Sequence, residues 1–443
     1  MTNKAKEAVT LKRGLGAIHL WGLAVGLVIS GEYFGWSYGW GVSGTLGFLV
    51  ATALVVVMYV ALSLSISELA TSIPDAGGPY AYAQRAFGSW GGYVAGIASL
   101  IEFVLAPPAI AYGLGSYLHV LAPAIHAEVA AAIAMVVFGI VNLMESKQSA
   151  RFETAVTVIA IIELLIFIGV SVPAFKPENF LNDGWMGGAP GVFAAIPFAI
   201  WFFLGIEGTA LAAEEANQPA RTLPRGFIWG IATLVVLAMG VMLGAGGAGD
   251  WKRLNAMDFP IPEAVSMALG AGHPWVKAFA GLGLFGLIAS LNGIIFGAAR
   301  QVFAISRSGL LPAGLSKLTS RRVPARAVTF SVVAGLLGIA SGKTADLITL
   351  SALGAIVVYA LCGVSLMRLR GREPGMSRPF RVPLYPVTPA VTVALAAVCL
   401  AAIAWSNARM FGIFALLMAI ACVGRLVMSA RAARGTEPQP NGA

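Results

Sequence analysis

Along this chain the polar residues form short interruptions between apolar runs of about 15–25 residues, the length that crosses a bilayer as a helix. Roughly twelve runs are expected, at 15–40, 46–70, 90–118, 129–143, 152–172, 192–211, 227–243, 276–299, 327–340, 347–367, 387–404 and 411–427, the ninth being short. The first contains Ser30-Gly31-Glu32 in its middle. A carboxylate at that depth costs roughly 2.5–3.5 kcal/mol on insertion scales, and a glycine inside a helix costs about 1 kcal/mol. A membrane helix keeps such a defect only where a cavity or another helix satisfies the freed groups. The segment therefore predicts a broken helix at a binding site.

The sixth run repeats the feature. In Trp201-Phe202-Phe203-Leu204-Gly205-Ile206-Glu207-Gly208 a glycine and a glutamate again fall at mid-membrane depth. The two runs open successive sets of five, and an odd number of spans per set inverts the second relative to the first. Interrupted segments at matching positions of two inverted halves point to a transporter site. The alternative is that Gly205 and Gly208 only allow helices to approach closely.

Composition narrows the picture further. Of 443 residues, 58% are hydrophobic and 11% charged, with mean hydropathy +0.83, more apolar surface than a soluble domain needs. The net charge of +9 does not indicate nucleic acid, because the basic residues occupy loops on alternate sides. One side receives Arg85 and the clusters within 4–13, 147–151, 221–225, 307–326 and 368–381. The other receives only Lys176, Lys252, Arg253, Lys277, Lys343 and Arg409. That asymmetry predicts both termini in the cytoplasm. Cys362, Cys399 and Cys422 lie inside apolar runs and read as small apolar residues. No metal-binding, redox or phosphate-loop motif is present, and no cofactor is expected.

Glu32, Glu102, Glu163 and Glu207 fall within the runs, with no Lys or Arg near a run's centre. Such carboxyls must be neutral, bind cations, or both. This is the sequence's own argument for a cationic or proton-coupled substrate. Glu68, near the inner end of the second run, is expected to be structural. A helix break frees carbonyls before it and amides after it, which suit an ammonium and a carboxylate respectively. The turn at 74–79 predicts a short cytoplasmic helix over 80–87, and the outer segment 249–274 is long enough to cover the external face.

Three longer motifs carry a resemblance: SELATSIPDAGGPYAYA at 67–83, ARQVFAISRSGLLP at 299–312 and RPFRVPLYP at 378–386. With these in order, the chain resembles the amino acid–polyamine–organocation superfamily over about 14–425. The resemblance implies an all-α integral membrane protein of the leucine-transporter type. That fold has about twelve helices, two inverted five-helix repeats with helices 1 and 6 broken, two extra helices, and alternating access around a central site. It divides the chain into a tail at 1–14, repeats at 15–172 and 190–367, a helix pair at 387–430 and a disordered tail at 431–443.

Within the superfamily, 26–36 and 195–208 look most like the ethanolamine permeases. Amino-acid carriers usually have Gly-Ser/Ala-Gly-Ile at the first break; here Ile29 replaces the first Gly and Glu32 the Ile. Glu32 is expected to repel a substrate carboxylate and favour an amine without one. Where some proton-coupled relatives carry a Lys in span five, this chain has Glu163, expected to be the ion or proton coupling group. Trp201 matches an aromatic that stacks on substrate in basic-amine antiporters, and Glu207 the acid of the family's Gly-x-Glu element.

The expected substrate site comprises Ile29, Ser30, Gly31, Glu32, Glu102, Trp201, Phe203, Gly205, Ile206, Glu207, Ser290 and Asn292. The expectation is a secondary transporter of the bacterial cytoplasmic membrane importing a small cationic amine, ethanolamine, with a co-transported proton. The rivals are a proton-coupled amino-acid permease of the same superfamily and a non-transporting receptor on the same scaffold. Scattered histidines and the absence of a nucleophile–base pair speak against an enzyme. Oligomeric state is left open.

Overall fold

The computed structural model describes residues 14–144, 146–309, 311–320 and 323–434. The basic residues Lys4, Lys6, Lys12, Arg13, Arg321 and Arg322, the side chains of Lys147 and Arg151, and the tail after 434 lie outside the described set. Among the described residues nine helices are long and apolar enough to cross a membrane. Three shorter apolar helices, Ala17–Tyr33, Ala127–Val141 and Ala325–Ile339, fall at the first, fourth and ninth runs.

In chain order, α1 is Ala17–Val28, α2 Ser30–Tyr33, α3 Trp36–Ser72, α4 Pro79–Leu121, α5 Ala127–Val141, α6 Ser146–Ser171, α7 Pro177–Leu181 and α8 Gly188–Trp201. A 3₁₀ segment, Ile206–Glu215, follows α8. Then come α9 Pro219–Ala248, α10 Pro260–Leu269, α11 Pro274–Arg307, α12 Ala325–Ile339, α13 Thr344–Arg372, α14 Val387–Ser406 and α15 Ala408–Arg434. α4 lies against α13 and α11, α8 along α3, and α1 against α9. The breaks after α1 and α8 are thereby enclosed by the longest helices.

Two boundaries differ from the apolar pattern. The first and second runs are joined, because the loop between them shrinks to a bend at Gly44, whose φ of 69° lets the chain turn without leaving the helix on either side. α4 likewise contains the expected short helix ahead of the third span, separated from it by Gly88 at φ 74°. The outer segment folds as a 3₁₀ turn, Trp251–Leu254, and α10. It is pinned to the C-terminal end of the first run, where Ser37 Oγ donates to the Met257 carbonyl at 2.8 Å and the Tyr38 hydroxyl to Asp258 at 2.8 Å.

At the end of α3 away from Gly44 two of the motifs meet. Glu68 is buried, and Arg370 holds its carboxylate bidentately at 2.8 and 2.5 Å. Arg378 lies 3.3 Å away and the Val382 amide donates at 2.7 Å. Removing Arg370 leaves the buried Glu68 carboxylate with Arg378 and the Val382 amide alone, so the loss is expected to approach, without reaching, the penalty of about 3–5 kcal/mol for a fully stranded buried charge. Arg370→Met is therefore expected to lower the thermal midpoint of the solubilised protein clearly, and an unchanged midpoint would contradict this role.

Candidate functional site

Glycine and aromatic side chains build the site around two helix interruptions. α1 ends at Val28 and Ile29 starts the short turn α2. The true break comes after it, where Phe34 is extended (φ −160°, ψ 176°) and Gly35 has φ 95°. The indole of Trp201 packs on the Gly35 backbone where a β-carbon would stand, so this position needs glycine for both conformation and space. The break was expected at Ser30-Gly31-Glu32 and lies a few residues later, because Phe34–Gly35 is where Trp201 presses on the chain.

The freed carbonyls are already occupied by protein donors. Ser290 Oγ donates to the Leu27 carbonyl and lies 2.8 Å from Ser30 Oγ. Trp36 Nε1 donates to the Glu32 carbonyl at 3.0 Å, and the Tyr117 hydroxyl to that of Tyr33 at 2.9 Å. These three carbonyls thus have protein donors, whereas neither carboxyl oxygen of Glu32 has one.

The second interruption spans Phe202–Gly205, with Gly205 at φ 98°, before the 3₁₀ segment that opens with Ile206 and Glu207. The two breaks touch backbone to backbone. A β-carbon on Gly31 would stand 2.5 Å from the Trp201 carbonyl oxygen and 2.7 Å from Phe202 Cα. Trp201 meets Phe34 edge-on at 5.6 Å between centroids, and Phe203 packs on Tyr59 at 5.3 Å.

The carboxyls divide into three settings. Glu32 is wholly buried and neither of its oxygens has a hydrogen-bond partner. Glu102 of α4 is wholly buried with neither carboxyl oxygen hydrogen-bonded, and the Tyr359 hydroxyl donates to Glu207 at 2.9 Å. Glu163 of α6 accepts from the Tyr33 hydroxyl at 2.6 Å, tying α6 to the short turn α2 that leads into the first break.

The structure thus brings Ile29, Ser30, Gly31, Glu32, Trp201 and Ser290 to the crossing, with Phe203, Gly205, Ile206, Glu207 and Glu102 continuing from it along the second break. None of those with a polar or large apolar side chain is more than 3% exposed, so the site is closed to both sides. Asn292 does not reach the break. Its amide donates to Glu153 at 3.0 Å and its carbonyl oxygen accepts from Asn142 at 3.0 Å, because residues two apart on α11 face different ways and Ser290 takes the inward one.

Glu153, Tyr59 and Tyr359 were missed. Glu153 is buried beside the α-carbons of Gly26 and Gly293. Its spacing of four from Thr157 and seven from Ala160 is the helical signal that marks it as inward-facing. The tyrosines carry no signal among the other aromatics of their runs.

The family model described as "Amino acid permease" matches residues 19–429. Among curated relatives, an uncharacterized transporter of Rhizobium meliloti is 29% identical over 408 residues, covering 89% of this chain and 86% of the relative. A branched-chain amino acid permease of Bacillus subtilis is 27% identical over 407 residues, covering 87% and 86%. A methylthioribose transporter of the same organism is 27% identical over 424 residues, covering 89% and 88%.

Proposed function

The chain belongs to the amino acid permease family, and on that premise we propose that it is a secondary transporter moving an amino acid across the bacterial cytoplasmic membrane by alternating access. In this reading twelve spans are arranged as two inverted five-helix repeats with two further helices, both termini cytoplasmic. The substrate sits where the two breaks cross. Its ammonium group meets Glu32, and backbone amides freed when the breaks open receive its carboxylate.

The observation that carries the reading is Glu32: a carboxyl buried at the crossing with both oxygens unpartnered. A buried ionisable group without a partner is costly unless a ligand supplies one. The permease names of the relatives support an amino acid over the ethanolamine expected from the sequence. Ethanolamine stays as the second reading because Glu32 is a carboxyl where a substrate carboxylate would be repelled.

Uptake of labelled L-leucine into proteoliposomes, with excess unlabelled ethanolamine or amino acids, separates the two. Amino acids are expected to compete and ethanolamine to compete poorly. Uptake of labelled ethanolamine that amino acids leave unaffected would reverse the assignment.

A further inference from the structure

We infer that the protein carries an anionic-lipid site apart from the substrate site, where Arg368 of α13 and Arg425 of α15 hold a headgroup phosphate beside the Gly88 bend of α4. The site depends on the chain spanning a membrane and not on what it transports.

Three guanidinium groups converge on five consecutive residues, 86–90. Arg372 Nη1 donates to the Ala86 carbonyl at 3.4 Å. Arg368 lies over the Phe87 ring, 4.8 Å from its centroid. Arg425 Nη1 donates to the Ser89 carbonyl at 2.7 Å, and its guanidinium covers Trp90 and Tyr93 at 4.5 and 4.7 Å. The acid beside them, Glu373, is held by Arg85 at 2.7 Å.

Stacking on a ring fixes where a guanidinium stands but leaves its N–H donors to be met. Arg368 is exposed, and among the described residues it has no hydrogen bond and no carboxylate partner. Like charges gathered in this way, without acids to neutralise them, draw an anion.

Position selects the anion. Trp90 opens the third apolar run, Arg368 follows the tenth and Arg425 lies near the end of the twelfth. The contacts above bring these three run ends together, at the boundary where aromatic and basic residues meet lipid headgroups. The ground there is open. A β-carbon on Gly88, Gly371 or Gly424 would meet no atom within 4 Å, and Trp90 is 43% exposed. A headgroup can therefore enter from the bilayer without displacing protein, and its acyl chains lie along the spans, which a free phosphate lacks.

Such a lipid would also hold the last helix. Only 11% of the most apolar window of α15 is buried inside the protein. Its hydrogen bonds to α4 include the Tyr93 hydroxyl to the Ala421 carbonyl at 2.6 Å and Arg425 to Ser89. A phosphate bridging Arg368 and Arg425 adds α13 to that attachment.

Native mass spectrometry of the full-length protein, freed of co-purified lipid in neutral detergent, ranks phosphatidylglycerol against zwitterionic phosphatidylcholine. The wild type is expected to prefer phosphatidylglycerol, and Arg368→Gln to lose about fivefold of that preference. The double variant with Arg425→Gln is expected to lose more. Arg409→Gln, an exposed arginine at the opposite end of α15, is expected to keep the wild-type preference. No preference in the wild type, no loss in Arg368→Gln, or an equal loss in Arg409→Gln would overturn the site. Inorganic phosphate that displaces the lipid at equal concentration would overturn its assignment to lipid. The thermal midpoint of lipid-free Arg368→Gln is expected to match the wild type, because Arg368 makes no hydrogen bond to the described residues. A lower midpoint there would make Arg368 a structural residue and overturn its role.

Discussion

Gly31→Ala is expected to abolish most transport while the protein still inserts and folds in the membrane. The added methyl would meet the Trp201 carbonyl oxygen and Phe202 Cα, both backbone atoms, so no side chain can swing aside to admit it. Overpacking of this kind costs about 1–3 kcal/mol, or roughly five- to 150-fold in an equilibrium between closed and open states. The cost falls on the state seen here, in which the two breaks touch. Gly169→Ala, with no atom within 4 Å of the new methyl, is the matched control and is expected to transport normally. Normal uptake by Gly31→Ala would show that the breaks need not close on each other.

Glu32→Gln has the other large expected effect, and its two readouts move apart. In the proposed reading, removing the carboxylate that meets a substrate ammonium leaves that charge poorly compensated in a buried site, at about 2–5 kcal/mol, or roughly thirtyfold to a few thousandfold in apparent affinity. The empty protein loses an unpartnered buried carboxyl, so its thermal midpoint is expected to hold or rise. A structural glutamate would show the reverse: a lower midpoint with affinity kept. Glu32→Ile tests the selectivity argument as well, and unchanged uptake of amines in that variant would refute a charge role.

The helices were legible because bilayer length and apolarity act on every span alike, and Glu68 was expected to be structural, in keeping with its buried pairing to Arg370 and Arg378. The glycine–glutamate pairs at Gly31-Glu32 and Gly205-Ile206-Glu207 pointed to both breaks. Their detailed positions were not legible. Gly35 takes its φ of 95° under the Trp201 indole, a contact between residues far apart in sequence. Asn292 was assigned to the site with Ser290, although residues two apart on a helix cannot share a face. Glu102 and Glu207 were each found singly. The burial of Glu153 comes from the close approach that Gly26 and Gly293 allow, a contact between residues far apart in sequence.

Substrate exchange tests the central claim most directly, because it needs movement across the membrane but no driving gradient. Purified protein in liposomes preloaded with an unlabelled amino-acid mixture, and given trace labelled L-leucine outside, should show a transient internal accumulation of label that Glu32→Gln strongly reduces. Label that binds to the protein without ever accumulating inside, for amino acids and ethanolamine alike, would contradict alternating access and leave a receptor built on a permease scaffold.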